Sequence, residues 1–153
     1  MGKPPDSVTK VLVKKGKTHV EFTSNVDRAK YTLSELTRAA LRDVGKFLCK
    51  EFKINYYQQF KKRRGKINKY VQPWVRRREC NLQVGIKPNA FYGGFQEKGS
   101  SKTPALGLLT KAAQDNIETI IQIESKYLSA MESEAEALAL INEDEYTGGS
   151  DGE

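Results

Sequence analysis

Asp43, Glu51 and Lys53 are the residues whose types come closest to a catalytic constellation. A metal-dependent nuclease uses clustered carboxylates to hold divalent ions beside a phosphate, and Glu51-Phe52-Lys53 has the Glu-x-Lys order of such sites. Nuclease motifs of that kind usually lie on a strand, whereas the apolar spacing around Phe52 predicts a helix. A charged helix face is the simpler interpretation, and a nuclease is kept as the enzymatic alternative.

Histidine and cysteine are scarce in this chain. There is one histidine, His19, and there are two cysteines, Cys49 and Cys80. A zinc site or a histidine-based triad would have to use nearly all of them. The start of the chain has no apolar run followed by a small-residue cleavage site, so we expect two buried, reduced thiols. His19 lies in a β-favouring run beside Glu21, and we expect it on the surface of a strand.

Two further classes of protein are disfavoured by what the sequence lacks. Gly93, Gly94 and Gly99 follow a predicted strand, but no Gly-Lys-Ser/Thr sequence comes after them to cradle a phosphate. No stretch approaches the roughly 18 apolar residues that a membrane span requires. We therefore predict a protein that is not an enzyme, uses no cofactor or metal, and does not lie in a membrane.

A strongly basic segment is the best candidate for binding a ligand. Aromatic residues surround it, and basic residues interleaved with aromatics suit nonspecific nucleic-acid binding through counterion release and base stacking. A solvated basic loop has the same composition, so both interpretations stay open. The basic residues are Lys61, Lys62, Arg63, Arg64, Lys66, Arg76, Arg77 and Arg78, and the aromatic residues are Tyr56, Tyr57, Phe60, Tyr70 and Trp74.

The charge of the chain is divided between its two halves. The 153 residues have a net charge of +7, but residues 1–80 hold 21 Lys and Arg against 7 Asp and Glu, and residues 81–153 hold 5 against 12. Opposite charges at the two ends favour contact between copies of one protein, or a basic face turned toward an anionic partner.

The order of the elements predicts a single α+β domain over residues 1–141, followed by a disordered acidic tail over residues 142–153. Residues 8–13 and 17–22 predict an N-terminal β-hairpin. A capping box at Thr32 and Glu35 predicts the start of a helix over residues 33–52, and its apolar stripe begins at Leu33 and Leu36. The basic segment is then a flexible loop, and a second main helix starts at Pro104 and reaches residue 128 or beyond.

A pair of strands is expected between these two helices. Residues 70–75 are strand-like, and Pro73 limits that strand to an edge or a bulge. Residues 79–87 alternate in polarity, which predicts a half-buried strand antiparallel to the one before it. The inward side chains of the second strand are Cys80, Leu82, Val84 and Ile86.

The segment of residues 92–105 resembles the marker of the small head–tail joining proteins, also called tail-completion or neck proteins, of long-tailed bacteriophages. That family has a Tyr, then Glu-x-Gly-Ser/Thr-Ser, a segment of small residues and Pro, and a C-terminal helix rich in Ala and Leu or Ile. The matching residues are Tyr92, Glu97, Gly99, Ser100, Ser101, Pro104, Ala105, Leu109 and Ala113. The resemblance covers about residues 30–128, with Leu106-Gly107-Leu108-Leu109 where the family usually has Pro-Phe-Leu.

The resemblance implies an α+β fold in which a small antiparallel sheet packs against the two main helices. It also implies a structural virion protein that is not an enzyme. It would form a homo-oligomeric ring, a hexamer or dodecamer, between portal or adaptor proteins and the tail tube, with a channel for DNA and with assembly in the host cytoplasm. Neck, tail-terminator and minor capsid accessory subtypes all stay open. Within the motif, Glu97 would accept backbone N–H bonds in its own turn or reach a basic residue of a neighbouring subunit.

One alternative belongs to a different class of function. A cytosolic nucleic-acid-binding module would use the basic residues 61–78 as its functional face. In a virion protein, the same residues would face the ring lumen or the adjoining ring.

Overall fold

The computed structural model describes residues 4–15, 18–60, 67–76 and 78–148. The chain is an α+β protein, as predicted, with two separate antiparallel pairs of strands. The strands are β1 (Val8–Lys15), β2 (Thr18–Ser24), β3 (Val71–Arg76) and β4 (Asn81–Ile86), and the helices are α1 (Val26–Gln59), α2 (Ile67–Tyr70), α3 (Tyr92–Lys98), α4 (Leu108–Gln114), α5 (Ile117–Ser129) and α6 (Glu134–Gly148).

The predicted N-terminal hairpin is confirmed. Strands β1 and β2 pair antiparallel from Val8 opposite Ser24 to Lys15 opposite Thr18, with an irregularity between Val11 and Val13. His19 lies on β2 opposite Lys14. Of the predicted turn residues, Lys15 ends β1, and Gly16 lies outside the part of the chain that the structure describes, as does Lys17.

Helix α1 is longer than predicted at both ends. It begins at Val26. The carboxylate of Asp27 in its first turn stabilises the helix, because it lies near the positive end of the helix dipole. The predicted capping box is wrong, because Thr32 lies inside the helix, where its hydroxyl donates to the carbonyl of Arg28 at 3.1 Å. Glu35 forms an ion pair with Arg38 and does not reach back toward residue 32. Residues 26–31 contain no helix breaker, so the helix starts before the box.

Two clusters of buried side chains lie along α1. The cluster on its C-terminal half joins α1 to β3 and α4, and the cluster on its N-terminal half joins α1 to α5 and α6. At 34 residues, α1 is about 50 Å long, so one helix spans both clusters. The first cluster contains Cys49, Phe52, Tyr56, Ile67, Val71, Leu108 and Ala112, and the second contains Leu36, Ala39, Ala40, Tyr127, Ala137 and Ile141.

The predicted antiparallel strand pair is confirmed, with Val71 opposite Ile86 and Arg76 opposite Asn81. Its second strand begins later than predicted. Cys80 lies in the connecting turn, with φ of 46°, and is exposed. The prediction of a buried Cys80 is therefore wrong, because the left-handed turn removes this residue from the alternating strand. Cys49 is buried as predicted.

The predicted helix from Pro104 is wrong in its start and in its continuity. Residues 104–107 are not helical, and α4 begins at Leu108 after Gly107, whose φ is 58°. The helical run is interrupted at Asp115 and Asn116, residue types that favour helix ends over helix interiors. A short 3₁₀ turn, Ala130–Glu132, separates α5 from α6.

The acidic C-terminal segment is largely helical. Helix α6 continues to Gly148, so residues 142–148 are not the disordered tail that the sequence predicted. The reason is that Ala137 and Ile141 are buried against α1, which adds packing to a sequence of good helix formers. Residues 149–153 lie outside the described residues. No helix of the described ranges is long and apolar enough to span a bilayer.

Gly45 lets α1 lie close against the β3–β4 pair. A Cβ atom at this position would lie 2.5 Å from the Cβ of Pro73 and 3.0 Å from a methyl group of Leu82. The contact with Pro73 cannot be relieved by turning a side chain, because the atom belongs to a ring next to the backbone, whereas the Leu82 methyl group can shift. The glycine, unfavourable in a helix interior, is therefore explained by packing.

We expect Gly45→Ala to destabilise the protein by about 1–2 kcal/mol, because the overpacking penalty exceeds the gain in helix propensity. Gly94→Ala is the matched control: it is also a helical glycine, but nothing lies within 4 Å of its added Cβ. The control should be neutral or stabilising by up to about 1 kcal/mol. Urea denaturation measures both, and equal stabilities of the two variants would contradict the close approach.

Candidate functional site

Glu97 joins α3 to the first turn of α4. Its carboxylate accepts hydrogen bonds from the backbone N–H groups of Leu109 at 3.0 Å and Thr110 at 2.9 Å, and from the Thr110 hydroxyl at 2.9 Å. The first N–H groups of a helix have no partner within the helix, and a carboxylate there also meets the positive end of the helix dipole. Two roles were predicted for Glu97. The structure shows the first of them, in which its carboxylate accepts hydrogen bonds from nearby backbone N–H groups.

The residues after Glu97 form a tight loop between the two helices. Gly99 has φ of 81°, and a Cβ there would lie 2.9 Å from the backbone nitrogen of Ala105. Ser100 pairs with Thr103 through a backbone bond of 2.8 Å, and Leu106 donates to the carbonyl of Gln96 at 2.8 Å. Of the motif residues, Glu97 therefore joins α3 to α4, and Gly99 and Ser100 shape the loop between the two helices. The exposed Pro104 lies in the same loop.

Phe91, Tyr92 and Phe95 form an exposed surface that we call the aromatic ridge. Phe91 is 72% exposed and Phe95 is 53% exposed. The Phe91 ring meets Tyr92 and Phe95 edge-on, with ring centroids 5.9 and 6.3 Å apart. Exposed aromatic rings in contact with one another are enriched at binding surfaces.

The aromatic ridge faces outward because the opposite side of α3, at Gly93, packs against β4. A Cβ at Gly93 would lie 2.7 Å from a methyl carbon of Ile86, so this side of α3 is pressed against β4. Gly93 and Gly94, which follow the predicted strand pair in the sequence, both lie within α3. The signal that could have revealed the ridge is the set of aromatic residues around the two glycines.

A second exposed apolar surface lies at the other end of α1. Two adjoining cavities, of about 420 and 160 Å³, share Leu36 and Met131 in their lining. We call them together the apolar groove, which is lined mainly by Leu33, Leu36, Ala40, Leu128, Met131 and Ala137. Leu128 is 63% exposed and Met131 is 49% exposed.

The groove differs from what the apolar stripes predicted. Leu33 was expected to face the core but lies half exposed at the edge of the groove. Arg28 and Glu134 form an ion pair among the residues that line the larger cavity. Because this pair is exposed, it contributes little stability. The groove itself requires α1 to meet α5 and α6, which no local pattern specifies.

The predicted basic site is only partly within the described residues. Lys61, Lys62, Arg63, Arg64, Lys66 and Arg77 lie outside them. Arg76 forms an ion pair with Glu79 at 3.0 Å. The pKa of the Glu79 carboxyl is lowered, chiefly by the hydrogen bond from Arg76 and to a smaller extent by the one from Asn81. Arg78 is exposed, as is Trp74 in part. Binding of nucleic acid by this segment stays a prediction.

The three candidate nuclease residues are not brought together. Asp43 accepts a hydrogen bond from the Tyr127 hydroxyl, and Lys46 lies 3.8 Å from its carboxylate. Glu51 lies about 12 Å from Asp43 along the helix axis, from the rise of about 1.5 Å per residue. Within residues 4–15, 18–60, 67–76 and 78–148, no group of three or more His, Cys, Asp and Glu side chains is placed to hold a metal ion.

Cys49 is embedded in the C-terminal cluster of α1. Burial raises the pKa of its thiol to about 11, and the nearby positive charge of Lys53 offsets this only in part. The thiol is therefore protonated at neutral pH and packs as a small apolar side chain.

Comparison with known protein families, curated proteins and solved structures finds no match for this chain. The resemblance of residues 92–105 to the head–tail joining proteins therefore stays a prediction.

We expect Glu97→Ala to lower the free energy of unfolding by about 1–2 kcal/mol, because the first N–H groups of α4 lose their acceptors. Glu97→Gln should lose less, since its amide oxygen can still accept one of these bonds. Glu124→Ala, an exposed change in the middle of α5, is the matched control. Chemical denaturation measures the free energy of unfolding of the three variants. A Glu97→Ala protein as stable as the control would contradict a stabilising role for the bonds between Glu97 and α4.

Proposed function

We propose that this chain is a structural subunit of the head–tail joining assembly of a long-tailed bacteriophage, in the neck or tail-completion class. The observation that carries the proposal is the pair of exposed apolar surfaces, the aromatic ridge and the apolar groove, on one small chain. Contiguous exposed apolar surface marks sites of contact with other proteins. A subunit that acts by joining neighbours needs such surfaces.

The motif behind the family resemblance has a structural role that suits this function. Glu97 joins α3 to α4, and Gly99 and Ser100 lie in the loop between these helices. Helix α3 bears Tyr92 and Phe95, and Phe91 directly precedes it. The motif thereby fixes the direction in which the aromatic rings point. A protein that joins two rings acts through the shape of its surface. It therefore depends on a fixed orientation of its contact side chains, and not on catalytic groups.

The division of charge along the chain supports the same proposal. Residues 1–80 are strongly basic and residues 81–153 are acidic. Heterologous contacts between unlike surfaces generate a closed ring when the rotation between copies closes. The proposed ring is a hexamer or dodecamer in the virion, with portal or adaptor proteins on one side and the tail tube on the other.

Nonspecific nucleic-acid binding is the second candidate function. The observation that favours it is the partly exposed Trp74 on β3, close in sequence to the exposed Arg78 and to the basic residues 61–66. An aromatic ring beside cationic side chains can stack on bases while the cations meet phosphates. In a ring subunit, the same residues would face the channel.

We expect disruption of the gene for this chain, in the genome that encodes it, to leave heads and tails assembled but not joined. Negative-stain electron microscopy of the lysate counts joined and unjoined particles, and supplying the intact chain in trans should restore joining. Joined, infectious particles without the chain would contradict the proposal. In that case, binding of short DNA duplexes that weakens steeply with salt would favour the nucleic-acid module.

A further inference from the structure

We infer that the aromatic ridge of one copy docks in the apolar groove of the next copy, so that the chain assembles head to tail. This inference rests on the proposed function, because it names the contact by which neighbouring subunits meet. Four features of the molecule support it: the shapes of the two surfaces, their positions along α1, their charged surroundings and their composition.

The groove has room for the side chains of the ridge. An apolar cavity of about 150 Å³ is enough to bind benzene. The larger cavity of the groove, at about 420 Å³, and the adjoining one, at about 160 Å³, can therefore accept aromatic rings. Phe91 is the most exposed ring of the ridge, and it is the one that we place in the larger cavity.

The two surfaces of one chain cannot meet each other. The ridge lies beside the C-terminal half of α1, where Gly93 lines a small cavity together with Phe52 and Tyr56. The groove lies on the N-terminal half, at Leu33 and Leu36. Leu36 and Tyr56 are about 30 Å apart along the helix axis, from the helical rise. A ridge that fills a groove must therefore come from a second copy.

The charges beside the two surfaces are of opposite sign. Residues 87–102, which include the ridge, contain three lysines and one glutamate, and that glutamate is Glu97, whose carboxylate caps α4. Residues 124–136, which line one side of the groove, contain four glutamates and one lysine. The opposite side carries Arg28, which is already paired with Glu134. The exposed Lys98 and Lys102 would thus approach the acidic side of the groove. Such complementarity orients and speeds association more than it strengthens it.

The composition of the two surfaces is typical of a stable protein–protein interface. Aromatic residues and methionine are enriched in the cores of protein interfaces, with charged residues at the rim. The ridge supplies the aromatic rings, and the groove supplies Met131, whose flexible side chain can adjust to a ring. The contact is heterologous, since each copy offers a ridge to one neighbour and a groove to the other.

Met131 also provides a direct reporter. The chain contains only two methionines, Met1 and Met131, so ¹³C-methyl labelling of methionine places one NMR signal in the groove. The labelled protein is the ridge variant Phe91→Ser/Phe95→Ser, whose groove is intact. Its unlabelled partner is the groove variant Leu33→Glu/Met131→Glu, whose ridge is intact. All four changes are at exposed positions, so we expect the fold to be retained.

We expect the Met131 methyl signal to move upfield and to saturate as the groove variant is added, because an aromatic ring then lies against it. Unlabelled ridge variant is the control titrant and should cause no shift. Charge reversal in the titrant, Lys98→Glu/Lys102→Glu, should reduce the shift at a given concentration in low salt, and this change does not alter the rings. The mixture of ridge and groove variants should form a pair of chains and no larger species.

Two results would overturn the inference. The first is a Met131 signal that does not move with the groove variant at millimolar concentration. The second is an equal shift with the ridge variant, which would mean that another part of the second copy fills the groove. Either result leaves the proposed function to be judged by whether heads and tails join, since a subunit can form a ring through other contacts.

Discussion

The burial of two separate apolar clusters against one helix is the constraint on which the rest of this structure depends. Helix α1 supplies Phe52 and Tyr56 to one cluster and Leu36 and Ala40 to the other. Neither cluster is large, so each depends on α1 as a rigid wall. The close approach at Gly45, between the two, holds the β3–β4 pair against the helix. The distance between the two ends of the molecule is thereby set by the helical rise.

The surfaces at the two ends result from how α1 is covered. At one end, Glu97 joins α3 to α4 across the loop that contains Gly99. Gly93 packs closely against Ile86 of β4, so the aromatic rings of the ridge face outward. At the other end, α5 and α6 cover α1 only in part. Tyr127 anchors α5 through its bond to Asp43, while the nearby Leu128 and Met131 stay exposed along a groove. Both ends therefore present exposed apolar side chains.

Sequence patterns predicted the elements better than their limits or their assembly. Strict alternation located β4, because that signal is local. The backbone bonds of Glu97 were one of two roles that the sequence left open. The start of α1 was misplaced because Thr32 and Glu35 imitate a cap where no breaker precedes them. The exposure of Cys80 depends on a left-handed turn. The groove joins residues that are about a hundred positions apart, and only tertiary packing brings Leu33 beside Met131.

As an adaptor, the proposed subunit would use its two ends as recognition surfaces and its middle as a fixed spacer. Hydrogen exchange, compared between the dilute chain and the assembled form, tests this most directly, because it reports on each backbone amide. We expect slower exchange in the assembled form at residues 91–98 and 128–137, with little change in the middle of α1. Protection confined to the N-terminal hairpin or to the β3–β4 pair would contradict the adaptor role of the two ends.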